Sequence, residues 1–207
     1  MAGADQPLAT PAAISFQGWC LALALSLGAA VSLGITRFAY GLLLPAMRTD
    51  LGWSYTLAGA MNTANAVGYL IGALAMSWLL KRLSPMRVLL AGSVLATLFM
   101  AASGFFTDAT ALLLQRGLAG VASALVFLNV SAWCMLRLVA LGQPALGGFI
   151  FCGPGLGIAL TGLSASAMVA WHWPAAAGWA VFGLLCVGLC ALVWPVLQGL
   201  PQPSAAS

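Results

Sequence analysis

Between residues 18 and 198 the chain falls into six apolar runs, at about 18–47, 53–80, 86–106, 110–136, 144–169 and 174–198. Each is near or above the twenty or so residues that a helix needs to cross the hydrocarbon layer of a bilayer. Backbone buried in hydrocarbon has to satisfy its own hydrogen bonds, which restricts such runs to helices or closed barrels, and runs of this length read as helices. With 63% hydrophobic residues, 5% charged residues and a mean hydropathy of +1.06, the chain lies far outside the composition of soluble domains. The expected fold is an all-α membrane protein of six transmembrane helices.

The breaks between runs carry turn and charge signals: Arg48-Thr49-Asp50-Leu51-Gly52, Lys81 to Arg87, Thr107-Asp108-Ala109, Arg137 to Gln143, and Trp171-His172-Trp173-Pro174. With a cytoplasmic N-terminus, the inner loops hold Lys81, Arg82, Arg87 and Arg137, and the outer loops hold Arg48. That asymmetry follows the positive-inside rule and puts both termini in the cytoplasm of a bacterial inner membrane. Trp19, Trp53, Trp78, Trp133, Trp171, Trp173 and Trp194 sit near span ends, as an interfacial belt requires. Residues 1–17 carry Asp5 and no basic residue, and the apolar run that follows is too long for a signal core, so they read as a disordered cytoplasmic leader. Residues 199–207 read as a cytoplasmic tail.

Seven basic residues, scattered along 207, form no phosphate-tracking surface, so nucleic acid is excluded as a partner. The bilayer is the expected surroundings. Five cysteines inside apolar segments and a single His172 provide no metal-ligand spacing, and no cofactor is implied. Three Asp and no Glu leave no base for a catalytic constellation, which argues against an enzyme. Asp50 and Asp108 fall in turns and read as solvated caps. No carboxylate lies inside a span.

The cation in the first span therefore stands out. Arg37, in Leu33-Gly34-Ile35-Thr36-Arg37-Phe38-Ala39-Tyr40-Gly41, costs about 2.5–3.5 kcal/mol at the centre of a membrane helix. On a regular α-helix its stripe contains Ala30, Gly34, Gly41 and Pro45, which admit a close neighbour. The expectation is that this stripe, and Arg37 with it, faces the interior of the bundle and meets an anionic ligand; an arginine bonded to the carbonyls of its own bundle is the alternative. Arg116, in the outer half of the fourth span, either flanks the same cavity or snorkels to the headgroups. Asn62, Asn65 and Tyr69 share a face of the second span, as ligand contacts or as bonds between helices. Asn129 reads as interhelical glue. Gly68 and Gly72 form a small-x3-small packing pair. Gly153-Pro154-Gly155-Leu156-Gly157 implies a flexible or kinked fifth helix, with close packing as the alternative.

Gly34 to Tyr40, Leu44-Pro45-Ala46-Met47, Asp50-Leu51-Gly52, Ala58-Gly59 and Asn65-Ala66-Val67-Gly68-Tyr69-Leu70-Ile71-Gly72 together resemble the start of the YbfB/YjiJ-type branch of the major facilitator superfamily. Lys81, Arg82 and Arg87 stand where that superfamily has its basic loop, without the loop's usual Asp and Gly. Arg116 with Gly120 resembles the helix-four arginine motif, and Gly153, Pro154 and Gly157 the Gly-Pro motif of helix five. The resemblance covers one six-helix half and implies a bundle of 3+3 inverted repeats. It implies alternating access with a site between two halves, helices one and four lining it. The function so implied is half of a secondary active transporter for a small solute, an anion being the class that Arg37 favours. Arg37, Tyr40, Asn62, Asn65 and Arg116 are then the solute contacts. The missing half would come from a homodimer or a separate chain. A non-transporting scaffold or assembly partner, or a truncated inactive remnant, is the rival reading.

Overall fold

The structure is a computed structural model and describes residues 15–199. The six spans appear as α1 (Phe16–Leu51), α2 (Tyr55–Leu80), α3 (Pro85–Ala102), α4 (Ala109–Ala140), α5 (Pro144–Ala170) and α6 (Ala175–Gln198). Among the described residues there is no strand. Most of the expected leader and tail lies outside the described residues, but Phe16 and Gln17 already belong to α1, whose first turn is capped by the Ser15 hydroxyl accepting from the Gly18 N–H at 3.0 Å. Ser54, Ser84 and Asp108 cap α2, α3 and α4 in the same way. Asp50 is not a cap: it lies exposed in the last turn of α1, which Gly52 closes in the left-handed conformation at φ 65°. The third span ends at Ala102, short of the expected 106, where the Ser103-Gly104 turn stops it.

Because the helices alternate in direction, Lys81, Arg82, Arg87 and Arg137 gather at the end where the described chain begins and finishes. We call this the basic end. Asp50, Asp108 and Arg48 mark the distal end. The most apolar windows of α1 and α4 are 72% and 61% buried, against 22–33% in the other spans, so these two helices form the centre of the bundle. One core cluster occupies the distal half around Tyr40, Met61, Trp179 and Phe182, and a second fills the basic half around Leu25, Val130, Trp133 and Leu138.

Glycine decides which helices meet. A Cβ added to Gly68 would overlap the carbonyl oxygen of Gly117, and one on Gly120 the carbonyl oxygen of Asn65, so α2 and α4 touch backbone to backbone. A Cβ on Gly72 would meet the Val121 carbonyl oxygen at 2.8 Å. The same arrangement joins α5 to α1: Gly153 lies against the Ser26 carbonyl, and a Cβ on Gly157 would come within 2.7 Å of Gly34 Cα. The two contacts exchange when α1, α2 and α3 are swapped for α4, α5 and α6, as an inverted repeat demands. The fifth helix is thus closely packed. Its irregularity is a 3-10 stretch, Pro144–Phe151, and Pro154 falls in the first turn of the α-helix that begins at Cys152, where proline is tolerated.

Gly68→Ala is expected to destabilise the bundle by about 1–3 kcal/mol, since backbone and not a pliable side chain must retreat. Thermal unfolding in detergent checks this, with Gly162→Ala, which has open space around it, as the neutral control.

Candidate functional site

The site is set by an irregular turn inside α1. Residues Ala30–Ile35 are π-helical, and the Thr36 N–H reaches back to the Val31 carbonyl, leaving the Ser32 carbonyl without the helical donor it would otherwise have. Two hydroxyls replace that donor: Thr36 Oγ1 donates at 2.6 Å, and Ser123 Oγ of α4 also donates to Ser32 O. A freed carbonyl within a membrane is tolerated where Ser or Thr takes it up. The close approach of Gly34 to Gly157 is in the same turn.

The π turn rotates everything beyond it relative to a regular helix, by roughly the 100° of one residue. The expected stripe is therefore split. Ala30 and Gly34 are buried, whereas Arg37, Gly41 and Pro45 are exposed on the surface of this bundle. Arg37 does not face the interior, which corrects the straight-helix expectation. Tyr40 points inward in its place, 2% exposed, and its hydroxyl donates to the Ala58 carbonyl of α2 at 2.9 Å.

Arg37 opens onto a groove of about 450 Å³ between α1 and α2, walled by Arg37, Phe38, Tyr40, Gly41 and Leu44 on one side and Tyr55, Ala58, Gly59 and Asn62 on the other. Asn62 is exposed to it. Tyr69 lies within electrostatic reach of Arg37. Arg48 stacks on the Tyr55 ring at 3.8 Å from its centroid, toward the distal end.

The structure brings Arg37, Tyr40 and Asn62 together and separates the other two expected contacts from them. Asn65 is buried and its amide donates to the Arg116 carbonyl at 3.0 Å, so it ties α2 to α4. Asn62 and Asn65 are about 60° apart on the helix, and α4 covers only the second. Asn129 donates to the Pro85 carbonyl at 2.6 Å, as interhelical glue should. Arg116 neither lines the groove nor snorkels. It is 1% exposed, with its guanidinium carbon 4.7 Å from the Tyr40 centroid and 5.8 Å from that of Trp179. Its guanidinium nitrogens find no acceptor among the described residues. Two ring faces return about 0.5–2 kcal/mol each, less than the several kcal/mol lost when an arginine leaves water.

Trp179, Tyr55 and Gly59 were not legible as site residues. Tyr55, Gly59 and Asn62 do share a helical face, so a weak signal existed for the first two, whereas Trp179, one turn into α6, carries none. The indole N–H of Trp179 donates to the Met47 sulfur at 3.3 Å, fixing the ring beneath Arg116.

Six apolar spans arranged as two exchanged triplets, with a groove holding Arg37 and Asn62 on one flank, define a multi-pass membrane protein built as a transporter half-bundle. Residues 29–207 match the family described as "Uncharacterised MFS-type transporter YbfB". The chain belongs to that family, and so to the transporters of the major facilitator superfamily. A search among curated proteins returns no match.

Arg116→Met is expected to leave the melting temperature in detergent unchanged or raised, because it replaces an uncompensated buried cation with a side chain of similar length. A drop of several degrees would reveal a stabilising partner.

Proposed function

We propose that this six-helix bundle serves as one half of a secondary active transporter that moves a small anionic solute by alternating access, with Arg37 as its principal charge contact. One observation carries the reading. Arg37 is exposed on its own bundle about 20 Å from the nearer end of α1, at a depth where contact with lipid costs about 2.5–3.5 kcal/mol. A polar cavity removes that penalty, and the groove beside Arg37 supports one. The Asn62 amide offers neutral hydrogen bonds from the facing helix, and Tyr40 forms the groove's inner wall. Arg116, behind Tyr40, adds a second positive field without touching the solute.

In folds of this superfamily the solute lies between two six-helix halves, and the open flank of α1 and α2 is the surface such a half would cover. A second copy related by an axis along the membrane normal, or six further spans from other polypeptide sequence, would supply it. The four basic side chains at one end favour a plasma-membrane orientation with that end cytoplasmic. The rival scaffold reading needs glycine faces turned outward for docking. Gly68, Gly72, Gly153 and Gly157 are spent within the bundle, while Gly41, Gly59, Gly155 and Gly162 face open space, so the charge of Arg37, and not the glycines, is what favours transport.

The test is uptake of labelled organic anions into vesicles. Arg37→Ala is expected to abolish uptake, Arg37→Lys to retain part of it, and both to insert normally. Asn65→Ala is expected to lower thermal stability, since its amide binds a backbone carbonyl and not the groove. Undiminished uptake by Arg37→Ala would reject the assignment.

A further inference from the structure

A second hollow lies on the opposite flank, away from Arg37. It encloses about 480 Å³ between α3 and α6, with α1 and α4 as its floor. Leu90, Val94 and Leu98 form the α3 wall, and Val126 and Val130 the part of the floor given by α4. Small side chains keep it open: Gly28 lies in the floor, where a Cβ would press on Val130 at 2.9 Å, and the polar Ser93 hydroxyl is engaged by Cys190. Leu90, Val94 and Leu98 are 45%, 49% and 58% exposed, so the hollow opens sideways into the hydrocarbon.

The helical stripes that line this hollow both run on to an arginine. On α3 the series Leu98, Val94, Leu90 continues to Arg87, and on α4 Val126 and Val130 continue to Arg137, whose angular position falls between them. Arg87 is exposed, and the buried Arg137 Nε has no acceptor among the described residues. Both arginines belong to the basic end, whereas Asp50 and Asp108, the carboxylates of the described residues, lie at the distal end. The protein therefore leaves this pair of cations to be neutralised from outside. An anion attached to a hydrocarbon chain meets both demands at once.

We infer that the groove between α3 and α6 is a binding site for one acyl chain of an anionic glycerophospholipid from the leaflet at the basic end, with Arg87 and Arg137 holding its phosphate. Trp194, which lines the groove near the same end, places its amphipathic ring at the level of the glycerol backbone. The site is separate from the Arg37 groove, so its occupancy and the solute's are independent measurements.

The experiment is native mass spectrometry of the purified protein equilibrated with micelles containing equal phosphatidylglycerol and phosphatidylcholine. Each arginine near an anionic headgroup favours it by about fivefold, so wild type should prefer phosphatidylglycerol strongly and lose about fivefold of that preference with Arg87→Ala and again with Arg137→Ala. Arg87→Lys with Arg137→Lys should keep most of it, which covers the case in which the alanine variants fail to fold. Val94→Trp, which fills the groove, should reduce retention of both lipids, and glycerol 3-phosphate without a chain should not compete. Equal retention of the two lipids by wild type, an alanine pair with undiminished preference, indifference to Val94→Trp, or effective competition by glycerol 3-phosphate would each overturn the assignment.

Discussion

The carbonyl of Ser32 is the point from which the functional face of this bundle is set. Once the Thr36 N–H has moved to Val31, that carbonyl must find donors inside a membrane, and it finds them in the hydroxyls of Thr36 and Ser123. The second of these belongs to α4, so the irregularity in α1 is also a bond between the two central helices. Every side chain from Thr36 to Leu51 takes its direction from the turn. Tyr40 enters the core because of it, and Arg37 leaves.

The two intramembrane arginines are treated in opposite ways, with different energetic outcomes. Arg37 keeps its charge at the surface of the bundle, beside the groove between α1 and α2. Arg116 is enclosed by Tyr40 and Trp179 without an acceptor among the described residues, and the ring faces offset only part of its desolvation. A bundle selected for stability alone would place a methionine or leucine there. Tyr40 is shared between both environments, its ring facing Arg116 on one side and the groove on the other.

The number and order of the spans were readable from the sequence, because hydrocarbon imposes composition over twenty residues at a time. The family was readable too, from Gly34 to Tyr40 and from the run Asn65 to Gly72. The glycine pairs were legible as packing signals, but not which helix each one meets. What failed was angular. The direction of Arg37 follows from a π turn that apolar residues such as Ala30, Val31 and Leu33 do not announce, since no proline marks it and its hydrogen bonds close through a serine on another helix. Asn62 and Asn65 look equivalent at a separation of three residues, and only the position of α4 distinguishes the groove-facing amide from the structural one. Arg116 could not be assigned because its surroundings, Tyr40 and Trp179, come from spans far apart in the chain.

The glycine contacts have a mechanical consequence. Backbone pressed on backbone, as at Gly68 with Gly117 and at Gly157 with Gly34, has no side chain that can switch rotamer, so α2 with α4, and α5 with the basic half of α1, behave as two stiff blocks. Between the blocks, the distal half of α1 is joined to α2 through the Tyr40 hydroxyl on the Ala58 carbonyl. The groove lies outside both glycine contacts, so its two walls are held together by one side-chain hydrogen bond and not by backbone wedged against backbone.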